Sequence, residues 1–451
     1  MPTTDAPREH RAGTLVVGGA ILATLVVCVI ASWSEGTLLV PRNGGRPSGD
    51  TLWSWIFLAC LVAAFLAYTA AAVLAARGRI ARRLALAIGI AIQLAPLASP
   101  LLLSTDAWTY WDYGRISVVH DGNPYAQPPS AFPDDVAYAH VGARWADTPS
   151  VYGPLFTLAT APIARIAGES PDLAAWLFKA LAALAMIAAT LGASRVARRP
   201  ALATVVVGWS PLLAIHAAGA GHNDAWIAAL AIGALVAMRA RRPMLAGAAW
   251  ALAGLVKWVP LLLVPLIGIA AFARLRTGRF DREPTASDTA SASDTALAPE
   301  PAREDGSRSI AVATLGFVLA ASISGAIAFA VYGSSWLAAF DSLTRNAQTA
   351  TGYSFAFRLG QLGVPASAAK IIPLVVLAIA GLHVLREALR GRARLGLAVV
   401  ALVACSPLVA PWYLLWAVPL AVIDEDDRWP VVIAVFLTGA LLVHGIPLRA
   451  T

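Results

Sequence analysis

The stretch LWSWIFLACLVAAFLAYTAAAVLAA (52–76), followed directly by RGRIARR (77–83), decides the fold class of this chain. The first segment carries no charge and exceeds the roughly 20 residues that a helix needs to cross the hydrocarbon core of a bilayer. The second segment contains four arginines, and basic loops stay on the cytoplasmic side of a membrane. The pair therefore predicts a transmembrane helix whose carboxyl end lies in the cytoplasm.

The composition extends this prediction to the whole chain. Of its 451 residues, 58% are hydrophobic, and the mean hydropathy of +0.69 is too high for a soluble protein. The net charge of +8 comes from arginines in short loops between apolar runs, a pattern that indicates membrane topology and not binding of nucleic acid. Cys28, Cys60 and Cys405 lie in apolar segments without disulfide or metal spacing. We expect an all-α integral membrane protein with about thirteen transmembrane helices.

Successive apolar runs assign the polar segments to the two faces of the membrane. With the N-terminus in the cytoplasm and the first helix retained, residues 104–150 face outward, as does a second polar loop at 333–370. Residues 151–167 are short and contain two prolines, so they are predicted to be re-entrant, and KWVP (257–260) interrupts the run 244–273. The other predicted helices are 14–33, 84–103, 172–193, 201–219, 310–332, 371–386, 395–409, 412–423 and 430–446.

A low-complexity segment divides the chain into two membrane regions. Residues 1–273 form the N-terminal region with the first outer loop, and residues 310–451 form the C-terminal region with the second. Between them, residues 274–309 include TASDTASASDTALAPEPARED (285–305), which cannot bury enough apolar surface to fold. The segment 274–309 is predicted to be a disordered cytoplasmic linker.

Asp106 is the first candidate for chemistry, in STDAWTYWDYGR (104–115) at the start of the outer loop. A carboxylate at the lip of a helix lies in a low dielectric, which raises its pKa and suits a proton acceptor. Asp112 is six residues further along and would lie about 120° away on a helix. The alternative for Asp106 is a helix cap, and the aromatic rings of this segment fit either sugar stacking or the aromatic belt at a membrane surface.

The turn GHND (221–224) is predicted to lie on the same face as Asp106. His222, Asn223 and Asp224 could hydrogen-bond a polar substrate, and the alternative is a turn in which Asn223 or Asp224 caps the following helix. No H-x-x-x-H or D-x-D spacing appears in the segments predicted to face outward, so the sequence does not indicate a metal site there.

Three basic residues on the outer side are candidates for an anionic substrate. Lys257 interrupts an apolar run, and a buried ammonium needs an anion such as a lipid phosphate, unless the side chain extends to the headgroups. Arg345 and Arg358 in the second outer loop could clamp the same phosphate or remain solvated. Together with Asp106, these residues suit transfer of a sugar from a phosphate-linked lipid to a hydroxyl at the outer membrane surface.

Six segments that recur in family order give this chain its resemblance to known enzymes. They are STDAWTYWDYGR (104–115), GNPYAQPP (122–129), WADTPSVYGPLF (145–156), GHNDAW (221–226), GLVKWVPLLLVP (254–265) and SPLVAPWYLLWAVPL (406–420). The chain resembles the GT-C-fold, polyprenyl-phosphate-mannose-dependent mannosyltransferases of actinobacteria, and especially the α-1,6-mannosyltransferases of lipomannan synthesis. The resemblance implies a polytopic GT-C-like bundle in the cell membrane that uses a polyprenyl-phosphate sugar donor, a glycolipid acceptor and no cofactor.

The resemblance also implies roles for individual residues. Asp106 matches the general base of an enzyme that inverts the anomeric carbon. The residues that match recurring substrate-binding motifs are Tyr152, His222, Asn223, Asp224 and Lys257, to which Asp112, Arg115 and Tyr413 in the same segments are added. A divalent metal is not indicated, and the acceptor glycan is not defined.

Two other functional classes remain open at this stage. A lipid or glycan transporter would also contain broken helices and charges within the membrane, but the polar residues gather on one face without an inverted repeat. A transferase of the same fold could move glucose or arabinofuranose. A scaffold would leave Asp106, Asp224 and Lys257 without partners to offset their cost in a membrane.

Overall fold

The computed structural model describes residues 6–41, 49–277, 300–341, 351–424 and 427–449, and these residues fold as helices connected by turns and loops. The longer elements, in chain order, are α1 Ala6–Trp33, α2 Leu52–Ala76, α3 Arg82–Leu94, α4 Asp106–Val118, α5 Pro154–Ala167, α6 Pro171–Val196, α7 Pro200–Gly208, α8 Pro211–Ala214, α9 Asp224–Arg239, α10 Pro243–Val256, α11 Val264–Thr277, α12 Glu300–Tyr332, α13 Phe355–Gln361, α14 Ala366–Leu389, α15 Leu395–Cys405, α16 Leu414–Ala421 and α17 Trp429–Ala440. The described residues contain no β-strand and a single bridge between Thr37 and Asp50. The all-α class is confirmed.

The length and apolarity of these helices make the chain a multi-pass membrane protein. In the described part, six helices are long and apolar enough to cross a bilayer, and a bent pair formed by Pro200–Gly208 and Pro211–Gly219 could provide a seventh. Four further apolar helices, α5, α10, α15 and α17, are shorter. The predicted number of about thirteen crossings is not confirmed.

Prolines shorten or bend several of the predicted helices. The helix predicted at 84–103 ends at Leu94, continues as a 3-10 turn over Ala95–Ala98, and becomes extended at Ser99, because Pro100 disfavours a helical residue before it. The helix predicted at 201–219 bends by 51° between Gly208 and Pro211. The predictions at 395–409, 412–423 and 430–446 were also too long, since the corresponding helices are α15, α16 and α17.

The interruption predicted at KWVP is present. Helix α10 ends at Val256, Lys257 adopts an extended conformation with φ −158°, and a 3-10 turn over Val259–Leu262 leads into α11. The missing helical turn frees the Lys257 side chain to point into the bundle toward the start of α9.

Side chains satisfy backbone carbonyls where the bundle is tightly packed. Trp209 Nε1 donates to the carbonyl of Ala85 at 2.9 Å, and the Tyr68 hydroxyl donates to the carbonyl of Val206 at 3.0 Å. Because water is absent from the hydrocarbon core, such bonds are needed wherever a helix is bent. They fix α7 against α2 and α3.

Helix α12 reaches the N-terminal region through a reciprocal glycine contact with α10. A Cβ on Gly247 would overlap the carbonyl of Ala313, and a Cβ on Gly316 would overlap the carbonyl of Met244. Small residues of this kind allow two membrane helices to approach closely. Helices α11 and α12 include both ends of the linker predicted at 274–309, and its residues 278–299 lie outside the described residues. The proposed division into domains stays a prediction.

Candidate active site

Asp106 occupies the first position of α4. Its backbone N–H donates to Ser104 Oγ at 3.2 Å, and the helix cap is Thr105, whose side chain makes no capping bond. The carboxylate is buried, with 10% of its side chain exposed. It is thus held at the positive end of a helix dipole, which favours the ionised form. The cap position considered for Asp106 is thus occupied by Thr105, and neither residue provides a side-chain cap.

His222 is the nearest charged or titratable neighbour of Asp106. Its Nδ1 lies 3.3 Å from Asp106 Oδ2, and its side chain is fully buried. The expectation of a raised pKa for Asp106 is wrong. Burial does raise the pKa of Asp106, but the contact with His222, the charge of Lys257 and the bond from Ser104 outweigh burial and lower it below the ordinary value. A carboxylate that stays ionised at neutral pH is the form that accepts a proton.

The GHND turn brings its side chains to Asp106 by a specific backbone route. Gly221 has a φ of +73°, and the N–H of Leu102 donates to the carbonyl of Gly219 at 3.0 Å, which ties the segment before α4 to the turn. Asn223 occupies the cap position of α9, yet its side chain makes no capping bond. Both polar atoms of this buried amide lack a hydrogen-bond partner among the described residues. The amide is therefore free to bind a substrate.

Asp224 and Lys257 form an ion pair across 33 positions of sequence. Lys257 Nζ lies 2.9 Å from Oδ2 and 3.1 Å from Oδ1 of Asp224. Trp416 Nε1 donates to Oδ1 at 3.0 Å. Only 1% of the Asp224 side chain is exposed, against 18% for Lys257. We expected a lipid phosphate as the anion that pairs with Lys257. The structure shows that the carboxylate of Asp224 is that anion.

Aromatic rings enclose these polar groups. Trp412 stacks on His222 with ring centroids 4.2 Å apart, and Lys257 Nζ lies 5.1 Å from the ring centroid of Tyr413. On the other side, Tyr152 packs edge-on against Tyr110 of α4 at 5.1 Å. Rings with one polar edge suit the alternating polar and apolar faces of a sugar.

The position of Tyr152 is fixed by close contact between the backbone of Gly153 and the end of α10. The N–H of Gly153 donates to the carbonyl of Val256 at 2.9 Å, and a Cβ at position 153 would overlap the carbonyl of Leu255. Because this contact lies next to Lys257, it fixes the start of α5 and the break after α10 relative to each other. Glycine is the residue that this approach requires.

Asp112 and Arg115 belong to a different cluster on the other face of α4. Arg115 Nε donates to Asp135 Oδ1 at 2.7 Å and its Nη1 donates to the carbonyl of Gly168, so it connects the loop after α4 to the end of α5. His120 Nε2 lies 2.6 Å from Asp135 Oδ2. Burial and the charge of Asp135 raise the pKa of Asp112 to about 7, and Arg115 opposes them. Asp112 and Arg115 therefore contact a different set of residues from Asp106. The helical spacing of about 120° between the two aspartates predicted this separation.

Of the two arginines predicted for the second outer loop, Arg358 is described, and it does not lie at Asp106. Arg345 lies outside the described residues. Arg358 is exposed on α13, where Nη1 donates to Gln361 Oε1 at 2.9 Å and the guanidinium lies 5.6 Å from the ring of Tyr353. The loop predicted at 333–370 contains α13 and a 3-10 helix over Ser335–Phe340, and its residues 342–350 are not described.

Sequence reasoning missed Trp412 and Trp416. Both lie in SPLVAPWYLLWAVPL (406–420), one on either side of the selected Tyr413, and contact His222 and Asp224 respectively. Their spacing of four residues is the available signal, because side chains at i and i+4 share a helix face. Within the part of the chain that the structure describes, no group of three or more His, Cys, Asp or Glu side chains is arranged to hold a metal ion.

Comparison with known proteins agrees with the assignment made from the six motifs. A family model described as "Alpha-(1->6)-mannopyranosyltransferase, N-terminal domain" matches residues 11–273, and one described as "MptB C-terminal domain" matches residues 343–447. A probable alpha-(1->6)-mannopyranosyltransferase of Mycolicibacterium smegmatis is 30% identical over 176 residues, which are 38% of this chain and 29% of that protein. No solved structure matches. The resemblance to actinobacterial mannosyltransferases is confirmed: the N-terminal model covers more than half of the chain, which therefore belongs to the alpha-(1->6)-mannopyranosyltransferase family.

Proposed function

We propose that this protein transfers mannose from polyprenyl-phosphate-mannose to a hydroxyl of a lipid-linked glycan, forming an α-1,6 bond with inversion at the anomeric carbon. The observation that carries the proposal is the position of Asp106. It is a buried carboxylate at the start of α4 whose pKa is held below its ordinary value, and it lies 3.3 Å from His222, the residue before the unpartnered amide of Asn223. The family membership supplies the sugar and the linkage.

Asp106 acts as the general base in this reaction. It takes the proton of the acceptor hydroxyl while the hydroxyl oxygen attacks the anomeric carbon of the donor. The bond between that carbon and the phosphate oxygen breaks, and the electron pair leaves with the lipid phosphate. His222 then faces the protonated carboxyl of Asp106, and a positioned base of this kind contributes about 10²–10⁴-fold to the rate.

The Asp224–Lys257 pair shapes the site around the donor. Two oxygens of Asp224 engage Lys257 Nζ, and an ammonium carries three donors, so one N–H remains for the substrate. Trp412, Tyr413 and Tyr152 line the space next to this pair, where a sugar ring can pack on aromatic faces.

We place this site on the outer face of the cell membrane, with the N-terminus in the cytoplasm. The support is the charge pattern: RGRIARR (77–83), SRVARRP (194–200) and RARRP (239–243) all lie at helix ends away from Asp106 in the chain topology. A lipid-linked donor also accounts for a catalyst built into the membrane, since the reacting phosphate would sit at the membrane surface.

The test is sugar transfer by membranes that contain the protein and are supplied with radiolabelled polyprenyl-phosphomannose. Wild type should move label to a glycolipid, and Asp106→Asn should reduce the rate by at least about 10²-fold while still binding the donor. Asp172→Asn is the matched control. Asp172 also lies in the first turn of a helix, but it is exposed, so its loss should leave the rate unchanged.

Other donors distinguish the remaining functions. Label that moves only from a lipid-linked glucose or arabinofuranose would replace mannose as the sugar and keep the reaction class. If labelled lipid crossed the membrane without chemical transfer, the protein would be a transporter. Substantial turnover by Asp106→Asn would remove Asp106 from the role of base.

A further inference from the structure

Among the described residues, the basic side chains selected from the sequence for the donor phosphate already have partners within the protein. Lys257 is neutralised by Asp224, and Arg115 is neutralised by Asp135. Arg358 is engaged on α13 by Gln361. A lipid phosphate that approaches the ionised Asp106 would meet like charge, which disfavours binding unless another cation compensates.

Arg144 lies on a turn of the outer loop that is fastened to the start of α4. The N–H of Trp145 donates to the carbonyl of Gly142 at 2.7 Å, which closes the turn. Gly142 packs so closely on Thr105, the residue before Asp106, that a Cβ would overlap the threonine hydroxyl. The far side of the turn is held by Tyr113 of α4, whose hydroxyl donates to the carbonyl of Thr148 at 2.8 Å. The turn therefore sits directly beside Asp106.

The guanidinium of Arg144 is available to a ligand. It is exposed and lies 5.3 Å from the ring centroid of Trp145. Within the described residues its side chain contacts the Trp145 ring and has neither an ion pair nor a hydrogen bond. Stacking on an indole holds the planar group in one orientation and leaves its N–H edge open.

The positive charge of Arg144 affects the pKa of Tyr413, which lies in the proposed site. Burial raises the pKa of the Tyr413 phenol above its ordinary value, while the positive charges of Lys257 and Arg144 act in the opposite direction. Tyr413 is thus approached by Lys257 from the bundle and by Arg144 from the outer loop. The negative charge of Asp106 also acts on Tyr413, in the direction opposite to that of the two cations.

We propose that Arg144 binds the phosphate of the lipid-linked sugar donor, an inference that rests on the proposed function of the same site. The guanidinium offers a fork of N–H donors to two phosphate oxygens, in a geometry that lysine cannot reproduce. As the bond to the anomeric carbon breaks, the phosphate gains negative charge, and the same contact stabilises the departing group. Arg144 takes the role that the sequence suggested for Arg358, and the role of Arg345 stays a prediction.

The experiment compares wild type with Arg144→Ala, Arg144→Lys and Arg165→Ala in mannosyl transfer at saturating acceptor. Arg165 is the matched control, because it is also exposed and lies at the end of α5 away from Asp106. We expect the KM for the donor to rise by about 10–100-fold in Arg144→Ala, since a charge-assisted hydrogen bond of this size is lost. Arg144→Lys should fall between wild type and the alanine variant, and Arg165→Ala should match wild type.

A second readout uses polyprenyl phosphate without sugar as an inhibitor. Its inhibition constant should rise in Arg144→Ala by the same factor as the donor KM, while the KM for the acceptor stays within about twofold. An unchanged donor KM and inhibition constant in Arg144→Ala, with an active wild type, would overturn the assignment of Arg144. A wild type that transfers no mannose would instead overturn the proposed function, so the two failures are distinguishable.

Discussion

Replacing Lys257 by methionine tests how strongly the ion pair in the site holds the fold. The substitution keeps the length of the side chain but removes the charge that lies 2.9 and 3.1 Å from the two oxygens of Asp224. Asp224, with 1% of its side chain exposed, would then be a buried anion whose remaining hydrogen-bond donor is Trp416. Breaking a buried ion pair in this way costs about 3–5 kcal/mol. Because Lys257 is 18% exposed and Trp416 stays in place, we expect the free energy of unfolding to fall by an amount near the lower limit, about 3 kcal/mol.

The magnitude is measured by a double-mutant cycle with Asp224→Leu. Unfolding of the purified protein in mixed micelles by increasing sodium dodecyl sulfate would be followed for wild type, both single variants and the double variant. We expect the double variant to be more stable than the sum of the single losses predicts, by about 2 kcal/mol, since removal of both charges leaves no unpaired ion. Lys370→Met is the control, because Lys370 is exposed on α14 and its loss should change stability by less than about 0.5 kcal/mol. If the effects of the two single variants added up to within about 0.5 kcal/mol, the ion pair between Asp224 and Lys257 would not stabilise the fold.

Three further predictions concern the outer loop, the backbone of the site and the topology. Asp112 has a pKa of about 7 against an ordinary value of 3.8, so the folded state keeps a proton that the unfolded state has lost, and stability falls as the pH rises from about 4 to about 7. Asp112→Asn should therefore raise the unfolding temperature at pH 8 and leave it nearly unchanged at pH 4; an equal shift at both pH values would contradict the raised pKa. Gly153→Ala should lower transfer activity at least tenfold through the overlap with the carbonyl of Leu255, while Gly233→Ala, which meets no neighbour, should retain it; full activity of Gly153→Ala would show that this approach is not needed. In a variant without native cysteines, a cysteine at position 144 should react with a membrane-impermeant maleimide in intact cells and one at position 79 only after lysis, and the reverse pattern would invert the proposed orientation.

Hydrophobic runs and charge placement predicted the elements that frame the site. Helix α2 was predicted with its observed bounds, and the break at Lys257 was predicted from a lysine and a proline inside an apolar run. The grouping of Asp106 with the GHND turn also follows from assigning both segments to one face of the membrane. These features depend on local sequence and on the alternation of sides, which a single sequence carries.

The contacts within the site could not be read from the sequence. The pairing of Lys257 with Asp224 depends on how α9 and α10 pack, and nothing in the spacing of 33 residues specifies it. The pKa of Asp106 was predicted in the wrong direction, because burial was considered without the nearby His222 and Lys257. Nothing in the sequence singles out Arg144, because a lone arginine in a polar loop is usually solvated. Its proximity to α4 and Tyr413 appears only in the folded chain.

The reciprocal glycine contact between α10 and α12 has a consequence for how the chain can be divided. Helix α12 lies between the two regions matched by the family models, yet Gly247 and Gly316 bring its backbone against the N-terminal half as closely as two helices can approach. Together with the contacts of Trp412 and Trp416 with the GHND turn, this interface joins the halves through packed helices, so we expect the halves to associate without a covalent link between them. Two separate polypeptides, 1–277 and 300–451, should therefore assemble into one particle when produced together and purify as a pair through a tag on either, whereas Gly316→Leu should reduce the amount recovered as a pair.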